Sequence, residues 1–177
     1  PLSPEELVSR INKIPRIRLA QLPTALEYAP NISKELNINL YIKRDDCTAL
    51  AFGGNKTRHL EFIMAKTLSG EYDCILTGAA SQSNFCRQAV AAANKLNLDS
   101  YLVLMHGVKG KLMQGNFLLY NILGANVDVV DGENLEDIPK HLDKKFDELI
   151  KEGRKPLLIY GGFGEEDTTL AAISYAN

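Results

Sequence analysis

Between residues 74 and 160 the chain repeats one pattern: a short apolar run, a short loop, then a segment with a helical stripe. The runs at 74–77, 101–105, 127–130 and 157–160 have strand length, and 84–96, 114–123 and 135–151 between them have helical spacing. Strands that are apolar on both faces need cover on both faces, and helical crossovers join strands in parallel. The pattern therefore predicts an α/β fold with a parallel sheet and helices on both faces. In such sheets ligands sit beyond the carboxyl ends of the strands, where loops open into helix N-termini. Upstream, Ser3-Pro4-Glu5-Glu6 is a capped helix start running to about residue 12. The stretch bracketed by Pro15 and Pro23 reads as irregular, 30–36 as a short helix and 38–43 as a strand.

A chain of 177 residues can bury a substantial core. Its 20 Lys+Arg stand against 22 Asp+Glu without a long run of either sign, so neither nucleic acid nor an anionic membrane is indicated, and a small molecule is the expected ligand. No apolar run has membrane-spanning length and the first ten residues do not read as a secretion signal, so a cytoplasmic protein is expected. The three cysteines, Cys47, Cys74 and Cys86, show no paired spacing; they read as reduced thiols, with no metal site expected.

The stretch Phe52-Gly53-Gly54-Asn55-Lys56-Thr57-Arg58-His59 sets a lysine at the mouth of a helix behind two glycines. With Asn55 as the cap, Lys56, Leu60, Ile63, Met64 and Leu68 recur at helical intervals, so the lysine shares the apolar stripe and points inward. Lost hydration and the positive helix end both favour the neutral, nucleophilic amine. The two glycines would let a flat ligand approach the backbone. The plain alternative is a lysine snorkelling from a helix end behind a turn. Three strand-to-helix loops are further candidates. Residues 77–84 offer Ser81, Gln82, Ser83 and Asn84, whose hydroxyls and backbone N–H groups suit an anion, although Ser83 or Asn84 acting only as a cap explains them too. Residues 106–113 read as a basic surface loop, and Gly161-Gly162-Phe163-Gly164 as a turn able to approach a ligand. His59, one turn from Lys56, is a possible proton carrier or a packed histidine; His106 and His141 have no partners at metal-ligand spacing.

In order along the chain, Pro23-Thr24-Ala25-Leu26, Lys43-Arg44-Asp45-Asp46, Gly53-Gly54-Asn55-Lys56-Thr57-Arg58, Gln82-Ser83-Asn84 and Gln114-Gly115-Asn116 resemble the D-cysteine desulfhydrase and 1-aminocyclopropane-1-carboxylate deaminase family. These are pyridoxal-phosphate enzymes of the tryptophan-synthase-β fold type. The resemblance implies pyridoxal 5'-phosphate as cofactor, held by Lys56 as a Schiff base with Asn55 and Asn84 beside it. It implies that Lys56 later moves the substrate's α-proton, and that Ser83, with Gln82 and Asn84, receives the carboxylate of a small amino acid. Lysine in a Gly-Asn-Lys context separates this group from cysteine synthases and threonine dehydratases, which carry Ser-Phe-Lys. D-cysteine is the first expected substrate and the cyclopropane acid the alternative; a non-catalytic half-enzyme that needs a partner chain is the alternative of another class.

Members of the family run to about twice this length by ordinary domain arithmetic. The resemblance thus divides the chain into 1–43, an N-terminal segment of a large domain; 44–155, a small cofactor-facing α/β domain; and 156–177, the start of the remainder of a large domain left incomplete. A homodimer, or pairing with a complementary C-terminal half, is expected, with weak cofactor binding by this chain alone. His59 stands where the family has a basic residue, and Phe85-Cys86-Arg87 replaces its usual His-Ala-Arg or Gln-Thr-Arg.

Overall fold

The computed structural model describes residues 2–106, 112–132 and 134–175. Helix α1 (Pro4–Ile11) opens on a reciprocal cap: Ser3 Oγ accepts from the Glu6 N–H at 3.2 Å, and Glu6 Oε2 accepts from the Ser3 N–H at 2.9 Å. Strands β1 (Leu26–Tyr28) and β2 (Tyr41–Lys43), flanking helix α2 (Pro30–Leu36), form a separate antiparallel pair with Leu26 opposite Lys43. The strand expected over 38–43 is thus shorter, and its partner at 26–28 lies where the sequence predicts no strand.

The α/β expectation is met from helix α3 (Lys56–Ile63) onward. Strands β3 (Cys74–Ala80), β4 (Asp99–Met105), β5 (Asn126–Val130) and β6 (Pro156–Ile159) form one parallel sheet in the order β5-β4-β3-β6. The register sets Cys74 against both Asp99 and Pro156, and Tyr101 against Asn126. Helices α4 (Asn84–Lys95), α5 (Gly115–Ile122) and α6 (Ile138–Lys151) make the crossovers, and α7 (Glu165–Tyr175) follows the last strand. Alternate side chains of each strand explain the two-sided cover. Ile75 packs with Leu60, Ile63 and Met64 and with Ala89 and Ala93 of α4, whereas Leu76 packs with Ile138, Leu142 and Leu149 of α6. On β4, Leu102 and Leu104 meet Val90, Phe117 and Tyr120, while Val103 and Met105 turn to α6. Each large aliphatic side chain buried this way contributes about 1.5–3 kcal/mol.

The lysine helix departs from its expected form. It ends at Ile63, and Met64–Ser69 continue as a 3₁₀ turn closed by Gly70 in the left-handed region (φ 73°). Leu60, Ile63 and Met64 are buried but Leu68 is exposed, so the stripe stops a turn early. Nor does Asn55 cap with its side chain; the amide instead donates to the Tyr175 hydroxyl. Among the described residues no helix is long and apolar enough to cross a membrane.

Candidate functional site

Residues before Lys56 follow an unusual path. Ala49, Ala51, Phe52, Gly53 and Gly54 all have positive φ, at 71°, 46°, 69°, 70° and 127°. At position 53 a Cβ would come within 1.9 Å of the Asp46 carbonyl oxygen, and at 54 within 2.6 Å of Gln88 Nε2. The chain's own packing therefore requires both glycines. This path delivers Lys56, half-buried, to the first turn of α3.

Opposite it, Ser83 occupies the N-cap of α4, with Oγ accepting from the Cys86 N–H at 3.2 Å. The plain capping reading is thus correct, yet a hydroxyl that accepts one bond keeps its own proton to donate. The Ser83 carbonyl is fixed by the Tyr120 hydroxyl at 2.8 Å. Asn84 Oδ1 accepts from Arg87 Nη1 and Asn116 Nδ2, both at 2.9 Å, and no described residue takes its amide N–H₂. Gln82 turns to α5: its Oε1 accepts from the Asn116 N–H at 2.9 Å and its Nε2 donates to the Gln114 carbonyl at 3.1 Å. Burial pushes the Cys86 thiol up to about 12, so it stays protonated and is no nucleophile.

Lys56 and Ser83 line one cavity of about 430 Å³ at the carboxyl ends of β3 and β6. Its walls include Ile63, Phe85, Phe163 and Ala171, with His59, Asp167 and Thr168 as further polar groups. Few polar groups in an apolar cleft of this volume is the usual make-up of a small-molecule site. The Gly161-Gly162-Phe163 turn is part of the wall, held by the Gly161 N–H donating to Asp167 Oδ2 at 2.9 Å. A larger hollow of about 760 Å³ lies beside residues 11–23; two of its charged groups are in ion pairs, Arg16 with Glu61 and Arg58 with Asp45, and Lys43 Nζ donates to the Thr24 carbonyl at 2.5 Å.

His59 is buried, its ring set edge-on to Tyr175 at 5.3 Å, and its Nε2 has no hydrogen-bond partner among the described residues. Burial, and then the charge of Lys56, pull its pKa down to about 4, against a smaller opposing effect of Asp45. The unfolded chain, at the ordinary 6.5, takes up this proton first as pH falls. Stability is therefore expected to drop between about pH 6.5 and pH 4. Melting temperature measured across that window should fall less steeply for His59→Gln than for the parent chain.

Of the residues singled out in the sequence, Lys56 and Ser83 meet in the cavity wall, while Asn84 and Gln82 belong to the network beside it and Asn55 is tied to Tyr175. Most of the 106–113 loop lies outside the described residues. Asp45 and Asp46 pair with Arg58 and Arg44 and do not enter the cavity. The sequence carries no site signal for Asp167 or Tyr175, which reach the site from 111 and 119 positions beyond Lys56, whereas Phe85 stood out only as a departure from the family pattern.

A family model described as pyridoxal-phosphate dependent enzyme matches residues 17–175. A provisionally named 1-aminocyclopropane-1-carboxylate deaminase of Pyrococcus horikoshii is 38% identical over 169 residues, which cover 95% of this chain and 51% of the relative. A D-cysteine desulfhydrase of Klebsiella pneumoniae is 36% identical over 173 residues, with the same two shares. The crystal structure of a homologue of 1-aminocyclopropane-1-carboxylate deaminase superposes with a TM-score of 0.85 at 38% identity, covering 93% of this chain and 50% of that one. The chain spans about half the length of the relatives it matches. An amine lining a cleft of cofactor size, with apolar walls and an unpartnered buried ring nitrogen, fits such a cofactor. On a match that takes in all but its two ends, the chain belongs to the family of pyridoxal-phosphate dependent enzymes.

Proposed function

We propose that this chain is the lysine-bearing half of a lyase or deaminase that acts on a small amino acid. D-cysteine and 1-aminocyclopropane-1-carboxylate are equally supported as substrates by the names of the relatives. The observation that carries the reading is that Lys56 and Ser83 line the same cavity.

The cofactor, when bound, supplies the electron sink for the pair left at the substrate's α-carbon. Lys56 would hold it through its amine, and the same amine is placed to take or return a proton at the substrate carbon. Ser83 donates its hydroxyl proton to the substrate carboxylate, and the N-terminal N–H groups and dipole of α4 favour the same anion. Asn84 presents its amide N–H₂ to the cofactor ring, its oxygen being held by Arg87 and Asn116. Gln82 fixes this turn to α5, and Asn55 fixes the lysine loop to α7. Phe85 and Phe163 exclude water from the face on which the amine works. With water, D-cysteine would give pyruvate, ammonia and hydrogen sulfide; the cyclopropane acid would give 2-oxobutyrate and ammonia. The division at residues 43 and 155 belongs to the same reading, as does a complementary polypeptide that completes the large domain, or a second copy of the chain.

The test is to co-express the chain with the half of the Pyrococcus horikoshii relative that it does not span, then assay both substrates side by side. Release of pyruvate and sulfide, or of 2-oxobutyrate, picks the substrate, and Ser83→Ala should weaken it about tenfold or more through loss of one hydrogen bond to a charged group. A complex that takes up cofactor yet turns over neither would leave the chain as a binding half and end the catalytic reading.

A further inference from the structure

The loop that delivers Lys56 holds three non-glycine residues at positive φ, and such a path persists only where its surroundings over-determine it. Residues 45–48 supply part of those surroundings, with the Gly54 N–H donating to the Asp45 carbonyl at 2.8 Å and the Thr48 hydroxyl donating to the Gly54 carbonyl at 2.9 Å, and α4 supplies the rest. The Gly53 carbonyl accepts from Arg87 Nη2 at 3.0 Å and from Gln88 Nε2 at 3.1 Å. Gln88 is fully buried and its Oε1 accepts from Thr57 Oγ1 at 2.6 Å, next to the lysine itself. The other arm of the Arg87 fork, Nη1, donates at 2.9 Å to Asn84 Oδ1 and at 2.9 Å to Asn116 Oδ1. One guanidinium thus joins the lysine loop, the first residue of α4 and the start of α5.

Arg87 does this without a carboxylate. It is absent from the ion pairs of the described residues, all its acceptors are neutral oxygens, and its Nε is buried without a partner. A half-buried cation with only neutral partners carries a desolvation cost, and nothing in the core packing requires one. Its rigid planar fork reaches three segments at once, which a lysine's single ammonium cannot do.

We propose that Arg87 is a positioning residue which clamps the strained lysine loop to the mouths of α4 and α5 and so sets the spacing between the Lys56 amine and the Ser83 turn. This rests on the reading of Lys56 and Ser83 given above. A competing role, attraction of the anionic ligand by charge alone, makes a different prediction for Arg87→Lys, which keeps the charge and loses the fork.

The experiment compares the full chain with Arg87→Ala and Arg87→Lys by two measurements. The first is amide hydrogen exchange at Gly53 and Gly54, with strands β3 and β4 as internal reference. The second is the yield of borohydride-fixed pyridoxal phosphate on Lys56, read by peptide mass. Both variants should speed exchange of the two glycine amides by about tenfold or more while the strands are unchanged, as loss of a charged hydrogen-bond clamp implies. Both should also lower the Lys56 yield. Wild-type behaviour of Arg87→Lys in both measurements assigns the effect to charge and overturns the clamp. Unchanged loop exchange in Arg87→Ala overturns it as well. If the parent chain takes no cofactor on Lys56, the functional reading fails, and the exchange measurement alone still decides whether Arg87 holds the loop.

Discussion

Replacing Lys56 by alanine is expected to abolish the absorption of protein-bound pyridoxal phosphate, and Lys56→Arg should do the same. The pair of variants separates two properties of the side chain. Arginine keeps the positive charge at the first turn of α3 but offers no nucleophilic amine, so retention of the signal in Lys56→Arg alone would mean that the cofactor is held by charge. The parent chain, mixed with cofactor and reduced with borohydride, should carry the label on the peptide containing Lys56 in preference to surface lysines such as Lys144, which is exposed in an ion pair with Glu148. The preference follows from place: Lys56 is half-buried in a cleft with apolar walls, where a flat ring can be sequestered from water. Equal labelling of Lys56 and exposed lysines would sink the site. Because the chain covers about half of its relatives, the label should be weak alone and rise when the complementary half is supplied.

What could be read from the sequence and what could not differ for physical reasons. Strands β3, β4 and β6 are buried on both faces along most of their length, so each carries an apolar run that marks it without any partner in view. Strand β1 is three residues long and exposed throughout, so no alternation distinguishes it from loop, and although 38–43 read as a strand its antiparallel partner was invisible. Periodicity placed Leu60, Ile63 and Met64 inward but overran at Leu68, because apolar spacing persists past the point where Gly70 stops the turn. At the site, Lys56 and Ser83 were legible because each follows a local signal, a glycine turn and a strand-to-helix cap. Arg87 entered only as the last residue of Phe85-Cys86-Arg87, with no role: its value lies in contacts with Gly53 and Asn116, 34 positions before it and 29 after it in the chain. Asp167 was passed over for the same reason, since its bond to the Gly161 N–H exists only once α7 has folded back over α3.

Glu61→Ala is expected to destabilise the fold by about 3 kcal/mol, a large share of the stability of a domain this size. The Glu61 side chain is 1% exposed and accepts four hydrogen bonds: from Arg16 Nε at 2.8 Å and Nη2 at 2.5 Å, and from the backbone N–H groups of Leu19 and Ala20, each at 2.9 Å. It is therefore the peg on which residues 16–20, with no regular structure of their own, hang on α3. Alanine would leave the buried Leu19 N–H unpaired and detach Leu19 from its core contacts with Leu60 and Met64. In thermal unfolding the loss should read as roughly 6–12 °C, and Glu61→Gln, which keeps one acceptor oxygen, should recover part of it. A change of less than about 1 kcal/mol would show the peg to be dispensable. The same variant also separates scaffold from chemistry. Glu61 lies on the side of α3 that faces the N-terminal segment, outside the lining of the Lys56 cavity. Well below its melting temperature, Glu61→Ala should accordingly accept cofactor on Lys56 as the parent does, whereas Arg87→Ala should do so in lower yield even while the fold is intact.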